Sequence, residues 1–492
     1  MALLLGLDLG TSAVKGLLCD ETGWVVASAD HPITLLRPQP GWVVQDVQQL
    51  WQTIVAVVRR IAAQVPQVQE VVALSLSVAS GNTLLLDADG QPLGPAVHWM
   101  DCRAEPQIRQ LLPHIDPEED YRITGWALSG MSPLGHLAWL RRYDPERIAA
   151  ACRFCMTNDW ILHRLCGRYA MDPSNASTSG LYDQIAEHWH SPYLETLTMA
   201  EGMFSPLVPS GQALGTLTPL AAGELRLSTD TLVVNGAHDQ VCAALGAGVL
   251  RPGEVLLSCG TAWVILFPAV DRTAAMAVAE LVDPHVLPGL WAAMTSLYGL
   301  GLAPTWYLDL LRAGAGTPDT PIDTLYRVLN EGAASAPPGA NGIVFSPLEG
   351  GRAPFGALLY LGPRHTHGDV SRALMEGAAY ETRIQLERIR DSGLPLDSIK
   401  AVGGAMESPV WPHVAADVCG RCITLVGGQS TAARGAAILA GLGAGLFADP
   451  MSGAAAMAGE QRLVEPQPDH VRTYDELFGK YVRTVGLLDS LV

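Results

Sequence analysis

The sequence predicts an α/β fold built as two related domains, and three observations carry that expectation. The first is composition: 492 residues, 49% hydrophobic and only 16% charged, with 50 glycines and 34 prolines, the profile of a compact chain with many turns and tight backbone contacts. The second is that strand-like runs alternate with amphipathic helical windows along the chain. The third is a strand–turn–strand unit containing Gly-Thr that occurs twice, once at the start of each half. At about 150 residues per domain the length allows two to four domains, and the repeated unit favours two facing each other.

In chain order, apolar Leu3 to Leu7, the turn Asp8-Leu9-Gly10-Thr11-Ser12, apolar Val14 to Leu18 and a second turn at Asp20-Glu21-Thr22-Gly23 predict a hairpin. A helix over Gln48–Ala63, a strand over Val71–Ser77 and helices around Ser132–Arg142 and Asp159–Leu165 follow. Asp87-Ala-Asp89-Gly90 begins like a calcium loop, but His98 stands where the twelfth-position acid belongs, so it reads as a tight β-turn. In the second half Glu254–Ser258, the turn Cys259-Gly260-Thr261 and Trp263–Phe267 repeat the opening hairpin. A long helix over Val370–Arg390 has Asp369 available as N-cap and Gly393 beyond its basic end. A strand near Ile399–Val402, a Gly-Gly turn, a helix over Val410–Val418, a short strand and a small-residue helix over Thr431–Gly441 complete the pattern. The expected boundary lies in Gly246–Gly253, giving domains 1–245 and 246–492, with Ser335–Gly339 a surface loop of the second.

Thirty-one Lys and Arg against 49 Asp and Glu leave a net charge of -18, which repels a phosphate backbone or an anionic bilayer, and no basic run offsets it. Neither nucleic acid nor a membrane is an expected partner. Lysine occurs only at Lys15, Lys400 and Lys480, so anion binding falls to arginine and backbone N–H groups. No apolar stretch approaches the ~20 residues that span a bilayer. The opening residues lack a basic leader and carry Asp8, so a soluble cytoplasmic protein is expected. Nine cysteines fit reduced thiols. Cys152-Arg-Phe-Cys155 and Cys419-Gly-Arg-Cys422 have zinc-ligand spacing but read better as small buried residues at element ends.

Asp8-x-Gly10-Thr11-Ser12-x-x-Lys15 is the most informative local string. A glycine at a strand turn lets backbone N–H groups approach a phosphate, a neighbouring hydroxyl donates to it, and a carboxylate in the same turn suits hydrated Mg²⁺. The second turn, Ser258-Cys-Gly260-Thr261, repeats the Gly-Thr element without the carboxylate. Two such hairpins on opposing domains make a nucleotide cleft. A Walker A loop, a protein-kinase catalytic loop, His-Glu-x-x-His and Gly-x-Ser-x-Gly are all absent, so phosphate handling must use another architecture.

Together with further segments, these residues resemble the FGGY family of carbohydrate kinases, its xylulokinase-like members in particular, along nearly the whole chain. The matching strings are Gly6-Leu-Asp8-Leu-Gly10-Thr11-Ser12, Gly41-Trp-Val-Val-Gln45-Asp46, Trp99-Met-Asp101-Cys-Arg103, Thr157-Asn-Asp159-Trp, Gly236-Ala-His-Asp239-Gln, Leu257-Ser-Cys-Gly260-Thr261, Asp369-Val-x-x-Ala373-Leu-Met-Glu376-Gly377 and Gly403-Gly404-Ala-Met-Glu-Ser408. The resemblance implies two ribonuclease-H-like domains of the actin-like ATPase architecture, closing over a central cleft that holds ATP and a sugar. It implies Asp239 as the base that takes the proton of the attacking hydroxyl, and Asp8, with Asp239, at Mg²⁺. Gly10, Thr11, Ser12, Lys15, Gly260, Thr261, Gly301, Gly403, Gly404 and Ser408 fall at nucleotide-binding positions. Ser80, Gly81, Trp99, Asp101 and Asp239 fall on the sugar side, Trp99 as a pocket wall. Asp239 also suits a helix N-cap, and Asp46, Asp101 and Asp159 suit fixing loops around the pocket as well as touching sugar.

Departures from the family pattern bear on substrate. Ser80-Gly81 stand where xylulokinases carry the Met-His pair that contacts the ketose, Gly350–Phe355 departs from the family's Gly-Glu-Arg-Thr-Pro-His, and His136 replaces a lysine. The expected activity is ATP- and Mg²⁺-dependent phosphorylation of a small sugar, a ketopentose such as D-xylulose first. Gluconokinase or ribulokinase-like activity is the alternative within the class, and an actin- or Hsp70-like ATPase switch the alternative outside it. A homodimer is compatible with the family.

Overall fold

The computed structural model describes residues 2–260, 262–297, 299–314, 320–347, 356–428 and 430–489. Thr261 and Gly350–Phe355 therefore lie outside the described residues. The first sheet is built from β1 (Leu3–Leu9), β2 (Ala13–Asp20), β3 (Val25–Pro32), β4 (Val71–Val78), β5 (Ala213–Thr216) and β6 (Leu232–His238), in the order β5-β6-β4-β1-β2-β3. β1 pairs antiparallel with β2 and parallel with β4, and β6 runs parallel to β4. All seven residues of β1 are buried, as a central strand covered on both faces demands. Helix α1 (Val47–Ala62) starts at Asp46, whose carboxylate caps the backbone N–H groups of Gln48 and Gln49, so this aspartate has a defined structural task.

The second sheet takes β7 (Gly253–Cys259), β8 (Trp263–Ala269), β9 (Leu281–Pro284), β10 (Trp291–Leu297), β11 (Leu396–Val402), β12 (Ile423–Val426) and β13 (Gln461–Val464), in the order β9-β10-β8-β7-β11-β12-β13. With the edge strands β5, β9 and β13 set aside, both sheets have one topology. An antiparallel three-strand meander is extended by two parallel strands on the far side of its first strand. The duplicated hairpins of the sequence are thus the first two strands of two related sheets. The whole is a mixed α/β fold of two domains with actin-like ATPase architecture.

Helix α2 (Pro133–Tyr143) and helix α3 (Thr157–Cys166) belong to an insertion between β4 and β6. Much of that insertion packs around its own core of Leu85, Leu137, Phe154, Trp189 and Phe204. Helix α4 (Asp239–Ala247) follows the last strand of the first sheet, and helix α5 (Leu302–Gly314), helix α6 (Ile322–Ser335), helix α7 (His367–Asp391) and helix α8 (Trp411–Cys419) cover the second. The long helix begins earlier than the sequence suggested. Thr366 is its N-cap and Asp369 is the third helical residue, closing a capping box onto Thr366.

Helix α9 (Thr431–Gly443) follows β12 yet packs across β1, β4 and β6 of the first sheet, and it crosses α4. One shared core results, with Leu4, Ala73 and Val234 from the first sheet and Leu256, Val264 and Leu266 from the second. The approach is close enough that a Cβ on Gly6 of β1 would stand 1.9 Å from the Ala433 carbonyl oxygen. Helix α10 (Pro468–Asp489) is tied to α7 by a buried network in which Tyr474 donates to Glu376 and accepts from Arg372.

Candidate active site

Parallel strands end with their side chains and the next turn pointing into the crevice between sheets, which is where open α/β folds bind ligands. The carboxyl ends of β1, β4 and β6 bring Asp8, Ser77 and the His238-Asp239 pair to one place. Asp8 lies in register with Ser77 on one side and Lys15 on the other. Ser77 Oγ donates to Asp8 Oδ1 at 3.0 Å. From the other half, Ser430, the N-cap of α9, donates to Oδ2 at 3.1 Å. Burial and then the charge of Asp239 push the Asp8 carboxyl up to about 6, against the opposing field of Lys15. Neither Asp8 nor Asp239 is ion-paired to arginine or lysine among the described residues.

Asp239 is not the N-cap that its sequence position allowed. The helix begins one residue earlier, with His238 at the cap and Asp239 as the first helical residue. Burial raises its carboxyl above the usual range, while His238 and Gln240 act to lower it. Its Oδ1 lies 3.3 Å from His238 Nε2, and His238 Nδ1 lies 2.9 Å from Asp283 Oδ2. Burial opposes charge on this imidazole, but the Asp283 hydrogen bond and the fields of Asp239, Asp283 and Asp172 outweigh it and hold the group at about 9. It is therefore an imidazolium at neutral pH.

Each hairpin turn follows the carboxyl end of the first strand of its sheet. Gly10 N–H is used by the turn itself, donating to Ala13 at 3.1 Å, and Thr11 and the exposed Ser12 complete it, with Lys15 exposed on β2. Gly260 and the Gly403-Gly404 pair are exposed at the ends of β7 and β11. Gly403 has φ +99°, and a Cβ there would meet the Cys259 carbonyl oxygen at 2.5 Å, so only glycine lets these two turns touch. Nothing stands within 4 Å of a Cβ on Gly404, which leaves open space above the backbone. Gly301 is half-buried at the start of α5. The Ser408 hydroxyl is engaged within the chain, donating to Asn330 and accepting from the Val410 and Trp411 N–H groups.

On the sugar side, Ser80 and Gly81 follow β4 directly, buried, with Gly81 at φ +89° and its Cβ position 3.2 Å from Trp99 Cβ. Trp99 hangs on the same segment, its N–H donating to Asn82 at 2.9 Å, and its indole Nε1 is buried without a partner. Asp101 is fully buried and its oxygens accept from Val43 N–H and from the Arg103 backbone and guanidinium. His136 bridges Thr83 and the Asp101 carbonyl, and burial pushes its pKa down to about 4, so it is neutral. Asp159 is held by Ser205 at 2.5 Å and by the Trp160 N–H. The sequence reading missed His238, Asp283, Ser77 and Ser430. His238 adjoins the quoted Asp239, but no local signal pairs it with a residue 45 positions away.

Family models match both halves of the chain. The N-terminal domain of the FGGY family of carbohydrate kinases matches residues 3–246, and the C-terminal domain matches 255–444. The chain belongs to the FGGY family. It is an ATP-dependent sugar kinase acting on a small-molecule sugar. The autoinducer-2 kinase of Klebsiella pneumoniae is 29% identical over all of this chain and 96% of its own. A xylulose kinase of Staphylococcus epidermidis is 27% identical over 97% of this chain and 95% of its own. Among solved structures, a xylulose kinase of Rhodospirillum rubrum superposes with a TM-score of 0.86 at 27% identity, covering 99% of each chain. Among the described residues no helix is long and apolar enough to cross a membrane, and no group of three or more His, Cys, Asp and Glu could hold a metal ion.

Proposed function

We propose that this sugar kinase phosphorylates a small uncharged ketose, D-xylulose first, with Asp239 as general base. The observation that carries the reading is Asp239 itself, a half-buried carboxylate of raised pKa at the carboxyl end of β6, close enough to Asp8 for each to feel the other's charge. As the sugar oxygen attacks the γ-phosphorus, its O–H bond breaks and the proton passes to the Asp239 carboxylate while ADP leaves. A raised pKa brings that carboxylate nearer the operating pH, where acceptance is most effective.

Mg²⁺ suits the oxygen donors present, Asp8 first, and when bound it supplies charge neutralisation for the phosphates of ATP. With no larger acidic cluster among the described residues, one or two carboxylates would hold it and the nucleotide would complete the shell. Gly10, Thr11, Ser12 and Lys15 then cradle one side of the phosphates, and Gly260 and Thr261 the other. Gly301, Gly403, Gly404 and Ser408 line the adenosine side. Ser80, Gly81 and Trp99 form the sugar wall, and Asp101 acts there by fixing Arg103 and the Val43 loop.

The charge around the base supports an uncharged acceptor over an aldonate. Asp8, Asp172 and Asp283 surround Asp239 and His238, and Arg103 is already ion-paired to Asp101 at 2.7 Å. An added carboxylate meets like charge there. Small Ser80 and Gly81 leave room that a Met-His pair would fill, which is why autoinducer-2, the substrate in the names of relatives 29% identical, is the first rival to test. The test is an ADP-release assay at saturating Mg²⁺-ATP over D-xylulose, autoinducer-2, L-ribulose, D-gluconate and glycerol. Turnover is expected with D-xylulose; the highest kcat/KM on gluconate would overturn the reading.

A further inference from the structure

We propose that His238 is a positioning residue for the Asp239 carboxylate and that the opposite half of the chain holds it in place, through Asp283. The inference rests on the reading of Asp239 as base. His238 is fixed at three points. Its backbone N–H donates to Ser174 at 2.9 Å, Nδ1 meets Asp283 at 2.9 Å, and Nε2 faces Asp239 at 3.3 Å. Asp283 is wholly buried, and its second oxygen accepts the Trp126 indole N–H at 2.6 Å. A continuous polar run, Trp126 to Asp283 to His238 to Asp239, therefore ends on the reacting carboxylate.

The run crosses between the halves twice. Trp126, His238 and Asp239 belong to the first half, whereas Asp283 sits on β9, the edge strand of the second sheet. β9 is docked on the first half by its backbone: Leu281 bridges Trp126 and Val282 N–H donates to the Gly125 carbonyl at 2.9 Å. Gly125 lies at φ +74°, with its Cβ position 2.3 Å from the Val282 carbonyl oxygen, so the approach requires glycine. Tyr121 reaches across as well, donating to the Ala279 carbonyl at 2.7 Å. Burying Asp283 against an imidazole is an expensive way to fill a core, and apolar residues would pack there at lower cost. Its geometric product is a fixed ring beside Asp239. Separation of β9 from Gly125–Trp126 takes Asp283 with it and frees the imidazole to turn, so the base is held in one orientation only while the two halves are docked at this contact.

The test uses the full-length enzyme with D-xylulose and ATP. Asp283→Asn is expected to lower kcat about 10–100-fold, the range for residues that orient a reacting group, with KM for ATP unchanged within twofold. Trp126→Phe removes only the indole donor and is expected to lower kcat about fivefold, and the double variant should be no slower than Asp283→Asn alone, since both break one chain. His238→Gln, which still reaches Asp239, should retain more kcat than His238→Ala. Tyr121→Phe loosens the same docking without touching the polar run and should lower kcat by less than Asp283→Asn does. Full kcat in Asp283→Asn would overturn the proposal. Wild-type turnover in Asp239→Asn instead sinks the base assignment. The crystal structure of Asp283→Asn needs no turnover and reads the positioning directly: an unmoved Asp239 carboxylate and His238 ring refute it, and rotated ones support it.

Discussion

Buried aspartates occur in two regions of this kinase, the cleft between the sheets and the inserted lobe, and they differ in what their oxygens meet. In the lobe, Asp101 accepts from Val43 and Arg103, and Asp159 accepts from Ser205 and the Trp160 N–H. In the cleft, Asp8 accepts, among the described residues, only two serine hydroxyls and lies in the repulsive field of Asp239. Burial pushes Asp159 up to about 7, further than the value of about 6 at Asp8. A perturbed pKa alone therefore does not mark the working acids. What marks them is a shortage of internal donors combined with a like-charged neighbour, at the carboxyl ends of parallel strands, where a cation and an alcohol can supply what the chain withholds.

The widest separation between the two groups is expected at Asp239. Asp239→Asn keeps the side-chain shape and removes the proton acceptor, and loss of a positioned base costs about 10²–10⁴ in rate. kcat for sugar phosphorylation should fall by that factor, with ATP affinity, measured by calorimetry, unchanged within a few-fold. Asp159→Asn should leave kcat largely intact and show itself in thermal unfolding. Equal rate losses in both variants would erase the distinction between cleft and lobe.

Much of this arrangement was legible in the sequence, because the informative features are local. The strand, Asp8-x-Gly10-Thr11-Ser12 turn and strand occupy consecutive residues, and the repeat at Gly260 foretold a second sheet of the same topology. The helix over residues 370–390 was recognisable from its spacing, although its start moved because Thr366, three residues before Asp369, makes the better cap. The missing features all join distant parts of the chain. α9 lies against β1 from more than 400 residues away, Ser430 reaches Asp8, and Asp283 reaches His238. Asp101 was read as a sugar contact as well as a loop anchor, and its pairing with Arg103 two residues on shows the anchor. Nothing in the type of residue distinguishes an aspartate that binds its own chain from one that faces a cleft.

Asp8 gives the next largest effect. Asp8→Asn retains an oxygen for Ser77 and removes a negative charge from the metal side of the cleft. The Mg²⁺ concentration for half-maximal activity should rise about tenfold, equivalent to ~1.4 kcal/mol, at saturating ATP and sugar. An unaltered Mg²⁺ titration would move Asp8 from the cleft group to the structural one. Lys15→Met removes a field that lowers the Asp8 pKa, so that carboxyl should rise further.

The smallest effect sharpens the comparison from the lobe side, at Asp120. This carboxyl is 1% exposed, its Oδ1 has no partner, and burial pushes it up to about 7 against the hydrogen bond of Tyr193. Between the unfolded value near 4 and the folded value, the native state holds a proton that the unfolded chain has released, so stability falls as pH rises through that window and levels off above it. Ionising a carboxylate in such a place costs on the order of several kcal/mol even after the surroundings relax. Asp120→Asn removes the titration. Its unfolding temperature relative to the parent should therefore climb between pH 4.5 and pH 8, with kcat unchanged at every pH. A climbing difference would show that a lobe acid can lack internal donors too, leaving the like-charged neighbour as what sets the cleft acids apart; a flat one would mean that Asp120 finds compensating donors when charged.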